Sequence, residues 1–216
     1  MDAKGNVAIR SDATREVLEY AKRLVQFLPP NVFDWDDTSN NAWLVGGNGA
    51  LIMNPPSAWL AAKRSNRKVA EQLWTFPAPK GPQGRYQPAD PFFWGIWKFS
   101  KNKSAAKSLR QHLCQRSSVE QLVDASGGYD LPGLSELRDF RIWAQAEPPT
   151  GTLYHYPPRG DEIASVAAAP APAAIGVQIY FQAIHAKMIA RVTQGGESID
   201  RTIAWAESTL ADIAGK

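Results

Sequence analysis

The sequence predicts a helix-rich α/β fold, with strands alternating with helices in its first part and helices alone at its end. Two observations predict it. Short apolar runs bounded by Pro, Gly and Asn occur between amphipathic stretches up to about residue 97, and the last forty residues keep only the helical spacing i, i+3, i+4. The chain has 216 residues, of which 44% are hydrophobic. A chain of this length can bury roughly 70% of its unfolded surface, enough for one large domain or two small ones.

Taken in order, Ser11 or Asp12 caps a helix whose apolar positions are Val17, Tyr20, Ala21, Leu24, Val25 and Leu28, and Pro29-Pro30 stops it. A second helix is expected over Asp37–Val45, with Asp36 and Asp37 at its positive end and Gly46-Gly47 closing it. Ala50–Met53 reads as a buried strand. Pro56 is preset for entry into a helix opened by Ser57 and running through Ala58, Trp59, Ala62 and Val69. Leu73–Phe76 is a short strand between turn residues, and Pro79–Gly84 is a loop. Phe93–Trp97 is a third strand. Ser100 to Lys103 then introduces a helix with Ala105, Ala106, Leu109 and Leu113 on one face, and further helices are expected near 118–125 and 135–146, with Gly127-Gly128 between them. From Pro157 to Pro172 the composition shifts to Pro, Ala and Gly, which suits an extended connector. Two helices, about 175–193 and 197–213, complete the chain around Gly195-Gly196.

Composition narrows the function classes. The single cysteine, Cys114, has no partner for an internal disulfide and no second thiolate for zinc. Net charge is +3, and the basic residues (Arg64, Arg67 and Lys68; Lys98, Lys101, Lys103 and Lys107) fall largely at helical spacing, so a solvated face is favoured over nucleic-acid binding. No run approaches 18 apolar residues, and the first six residues contain no apolar core of a secretion signal.

Catalytic chemistry is not visible. His112, His155 and His185 each lack a second ligand at metal-binding spacing. Asp34, Asp36 and Asp37 form the densest acidic cluster, which fits helix N-terminal charge better than paired acid/base work because a helix follows directly. No phosphate loop, nucleophile elbow or zinc-protease motif occurs. The eight tryptophans stand near turns and element ends. Trp97, Trp143 and Trp205 fall inside amphipathic patterns and read as core; Trp35, Trp59 and Trp94 suit either a core or a ligand cleft in which Asn and Asp serve the ligand's hydroxyls.

Five blocks in order carry a family resemblance: Trp35 to Asn41; Gly46 to Met53; Asn54-Pro55-Pro56-Ser57-Ala58-Trp59; Phe76 to Gly84; and Trp94-Gly95-Ile96 followed by Phe99 to Lys107. With the ending from Thr193 to Glu207, they resemble extracellular solute-binding proteins of family 1, the substrate-capturing components of bacterial ABC importers related to the maltose-binding protein. The resemblance implies a type II periplasmic-binding-protein-like lobe with part of a second lobe. In that scheme residues 1–78 are a second-lobe segment ending at the hinge, 79–126 cross the hinge into the first lobe, and 127–216 are the helical C-terminal part of the second lobe. Family members are about twice this long, so the signal peptide and most of the first lobe are expected to be missing.

The function so implied is solute capture between lobes that close by hinge rotation, followed by docking on ABC permease membrane subunits in the periplasm. No catalytic residue, metal or cofactor is implied, and no nucleic-acid partner. On matching positions the ligand-binding residues would be Trp35, Asp36, Asn40 and Asn41 at the cleft edge, Asn54, Ser57 and Trp59 on its floor, Trp94 after the hinge, and Tyr180 or Phe181 at the start of the penultimate helix. Phe92-Phe93 departs from the Gly-Gly of many members and narrows the approach, which favours a monosaccharide, polyol or other small polar solute over a disaccharide. A strand at 92–97 without its neighbours would expose edges and apolar surface, so self-association is also expected. Three rivals stand beside this reading: a stand-alone carbohydrate-binding module, a glycosidase using Asp36 with a second acid, and a folded fragment that binds nothing.

Overall fold

The computed structural model describes residues 1–2, 4–82, 84–89, 92–137, 139–146, 148–151, 162–165 and 170–215. Among them are ten α-helices and one two-stranded sheet, β1 (Tyr86–Ala89) paired with β2 (Glu162–Ser165). The chain is 54% helical, which corrects the expectation of an α/β, type II periplasmic-binding-protein-like lobe: among the described residues the layered sheet of such a lobe does not occur. None of the three runs read as strands forms one. Each is short and bounded by turn residues, with Pro55-Pro56 and Pro77 unable to donate to a ladder, and a strand exists only with a partner. Leu51, Met53, Trp74, Phe76 and Phe93 are exposed instead. Trp97, read as core, is 73% exposed and stacks on Phe99.

Two compact units result. The first joins Met1–Trp35, Pro88–Asp90 and Ile163–Lys216; the second joins Asp36–Gln87 and Pro91–Glu162.

In the first unit, α1 (Asp12–Leu24) starts where the Ser11 hydroxyl accepts the Thr14 amide at 3.2 Å, and one tighter turn, Val25–Phe27, ends it before Pro29-Pro30. Its buried row is Leu18 and Ala21, with Val17 and Tyr20 left exposed. The apolar stripe of this helix is wide enough to offer more than one row at i, i+3, and packing selected a neighbouring one. The helix expected over 175–193 is two helices, α8 (Ala173–Phe181) and α9 (Ile184–Thr193), because Ala183 sits in the left-handed region at φ 53°. A Cβ makes that conformation costly by about 1–2 kcal/mol, so it is the packing of Ile179 and Ile184 into one core on either side that holds it. Then α10 (Ile199–Ile213) is capped by the Ser198 hydroxyl, which accepts the Arg201 amide at 3.3 Å. The core combines Leu18 with Ile179, Ile184, Met188, Val192, Ile203, Ala206 and Leu210. Beside it, Arg191 pairs with Glu197 at 2.9 Å and lies 4.5 Å over the half-buried Trp205 ring.

In the second unit the order is α2 (Ser39–Val45), α3 (Ser57–Ser65), α4 (Arg67–Ala70), α5 (Lys103–Leu113), α6 (Arg116–Ala125) and α7 (Ile142–Gln145). Asn66 divides the single helix expected from Ser57 to Val69: its side chain accepts the Val69 amide at 3.4 Å and donates to the Val45 carbonyl at 3.1 Å. One core gathers Trp59, Ala62, Ala70 and Ala146; another gathers Val123, Phe140 and Trp143, whose indole N–H donates to the Gly128 carbonyl at 3.0 Å. Gly127 is required where it stands, since a Cβ there would come within 2.6 Å of Leu60 and its φ is +67°. Of the connector expected from Pro157 to Pro172, 162–165 is the strand β2, and 157–161 and 166–169 lie outside the described residues.

Candidate functional site

The turn into α2 is organised by Asp36. Its Oδ1 accepts from the Ser39 hydroxyl at 2.8 Å, the Thr38 hydroxyl at 2.8 Å and the Thr38 amide at 2.9 Å, while its own amide donates to Ser39 Oγ at 3.0 Å. These bonds brace the turn before α2, but no acidic residue lies in the helix's first turn and its cap residue Thr38 makes no side-chain cap hydrogen bond, so the acidic cluster precedes the helix rather than capping it as expected.

Once α2 starts there, Asn40 and Asn41 fall in its first turn. The chain returns past them at Asn54-Pro55-Pro56-Ser57, where the proline pair fixes the entry into α3. Four of the residues singled out in the sequence therefore meet. Asn54 Nδ2 donates to Asn41 Oδ1 at 2.5 Å and reaches Asn40 Oδ1 and Ser57 Oγ at 3.5 Å, and Asn41 Nδ2 donates to Ser57 Oγ at 3.4 Å. All four are half-buried.

The other candidates lie elsewhere. Trp59 is buried in a core of the second unit. Trp94 is exposed in that unit. Trp35, half-buried, and the exposed pair Tyr180 and Phe181, in edge contact at 5.5 Å, belong to the first unit.

A recess of about 260 Å³, lined by Trp59, Leu60, Lys63, Arg64, Gly127 and Ile142, was not foreseen from the sequence. Lys63 Nζ donates to the Ala146 carbonyl at 2.7 Å and lies 5.0 Å from the Trp59 ring centre. The one available signal was the spacing Trp59 to Lys63, i and i+4 on a helix. Among the described residues no group of three His, Cys, Asp or Glu side chains is placed to hold a metal ion.

The hydrogen bonds from Ser39 and Thr38 stabilise the charged form of Asp36 and hold its pKa down at about 2. Because the folded value lies below the ordinary one near 3.8, the turn's contribution is complete above pH 4 and is lost as pH falls toward 2. A carboxyl NMR titration is expected to place the Asp36 midpoint at about 2, well below the ordinary value of 3.8. A midpoint near 4 would mean that the turn does not persist in solution. Compared with known proteins, the chain matches no family model and no curated protein.

Proposed function

We propose that the protein captures a small polar solute of the sugar or polyol class and delivers it, in the periplasm, to the permease subunits of a bacterial ABC importer. The observation that carries the reading is the meeting of Asn40, Asn41, Asn54 and Ser57 within hydrogen-bond distance. Amides and hydroxyls both donate and accept, which is what a ring of hydroxyl groups requires. Among the described residues, Asn40 Nδ2 and Asn54 Oδ1 have no hydrogen-bond partner in the protein. Two neighbouring solute hydroxyls would offer an acceptor to the first and a donor to the second.

The order of motifs from Trp35 to Lys107 also supports the reading. The support is from residues alone, since the helix-rich architecture is not that of a type II periplasmic-binding lobe. One observation favours the rival in which the folded chain binds nothing. Asn54 Nδ2 already has three acceptors within 3.5 Å, so the cluster can equally be a self-sufficient turn.

Titration calorimetry against a panel of monosaccharides and polyols separates the two. Sub-millimolar binding of at least one member is expected, with Asn54→Ala weakening it about ten-fold, the loss of one to two hydrogen bonds. No heat with any member, from protein whose circular dichroism shows it folded, would overturn the proposal.

A further inference from the structure

The stretch that follows β1 is exposed, aromatic and basic. Phe92, Phe93, Trp94, Trp97 and Phe99 are all exposed, Phe92 by 91%. Next come Lys98, Lys101, Lys103, Lys107 and Arg110, all exposed and none ion-paired among the described residues. No Asp or Glu occurs from Phe92 to Val119. The helix that carries three of these cations, α5, has no buried residue. Its cations Lys103, Lys107 and Arg110 recur at i, i+4, i+7, and Ala106, Leu109 and Leu113 form a separate row at i, i+3, i+7.

Five exposed aromatic side chains within eight residues are more apolar surface than a protein commonly leaves in water without a use. The charge beside them selects the occupant. A second copy of the chain would bring one row of cations against another. Nucleic acid would offer bases to the exposed rings but nothing to the apolar row Ala106, Leu109 and Leu113 of α5. An anionic bilayer surface suits both halves. Aromatic side chains settle at the headgroup boundary, and lysines in an unpaired basic run gain from the negative surface potential. A basic amphipathic helix lies in that same plane.

We propose that Phe92 to Arg110 docks on an anionic lipid surface without crossing it. No helix of the described chain is long and apolar enough to span a bilayer. The proposal stands independently of solute capture, since it uses different side chains and a different readout.

The test is co-sedimentation of the full chain with vesicles of phosphatidylcholine alone or mixed with phosphatidylglycerol. Binding at least ten-fold stronger to the anionic vesicles is expected at low salt, falling as salt rises. The triple variant Lys101→Glu, Lys103→Glu, Lys107→Glu is expected to abolish the preference. Phe92→Ser with Phe93→Ser is expected to weaken binding several-fold while leaving its salt dependence. All five positions are exposed, so both variants should keep the wild-type circular dichroism. Equal binding to neutral vesicles, or anionic binding untouched by the Phe92/Phe93 variant, would overturn the proposal. So would tighter binding of single-stranded RNA than of vesicles at matched charge, which would reassign the surface.

Discussion

Trp59→Ala is expected to destabilise the second unit by about 3–5 kcal/mol, as for a large buried aromatic cut back to a methyl group. Trp59 is only 3% exposed and fills the space between Ala62, Ala70 and Ala146, with Val45, Val69 and Leu73 packed around them. Its neighbours in that core are mostly alanines on helices, which cannot move in to fill the gap, so the cost belongs at the upper end of the range. The variant also takes away the ring that Lys63 covers at 5.0 Å, leaving the ammonium, among the described residues, the Ala146 carbonyl. Urea unfolding followed by circular dichroism measures the loss. The same experiment decides what kind of residue Trp59 is. A tryptophan on the floor of a ligand cleft would cost little stability and much affinity; a core tryptophan does the reverse.

What the sequence disclosed and what it hid follow from the range of the interactions concerned. The starts of α1 and α10 were legible because Ser11 and Ser198 cap them through amides three residues away. The end of α2 was legible because Gly46-Gly47 follows it, with Gly47 at φ +74°. The strands were not, because periodicity reports how a run would look once paired and is silent on whether a partner exists. Of the two interruptions in long helical patterns, Asn66 carried a weak signal, being a favoured capping residue. Ala183 carried none, since alanine is the best helix former and its left-handed φ is imposed by the packing on both sides. The same division runs through the candidate site. Asn40, Asn41, Asn54 and Ser57 were singled out through the family resemblance; they meet because a proline turn returns the chain past α2. The contact of Lys63 with Ala146 spans 83 positions and leaves no mark on local sequence.

Ile203 provides the corresponding test in the first unit. It is buried on α10 among Leu18, Ile179, Ile184, Met188 and Leu210, so that α1, α8, α9 and α10 all contribute to the core it fills. Ile203→Val is expected to cost about 0.5–1.5 kcal/mol and Ile203→Ala about 2–5 kcal/mol, read as shifts in the urea midpoint at constant slope. The adjacent ion pairs should matter far less. Arg10–Glu207 and Arg15–Asp200 are open to solvent on both sides, where screening and side-chain entropy offset the attraction. Glu197 differs, because besides pairing with Arg191 it accepts at 3.4 Å from the hydroxyl of Thr202, which is fully buried. Removing Glu197 would leave that hydroxyl without its side-chain acceptor inside the protein, a penalty that charge screening cannot relieve. The expected order of destabilisation is therefore Ile203→Ala first, Glu197→Ala second, and Arg10→Ala or Arg15→Ala last. A larger effect from Arg15→Ala than from Ile203→Ala would show that an ion pair rather than apolar burial holds α1 and α10 together.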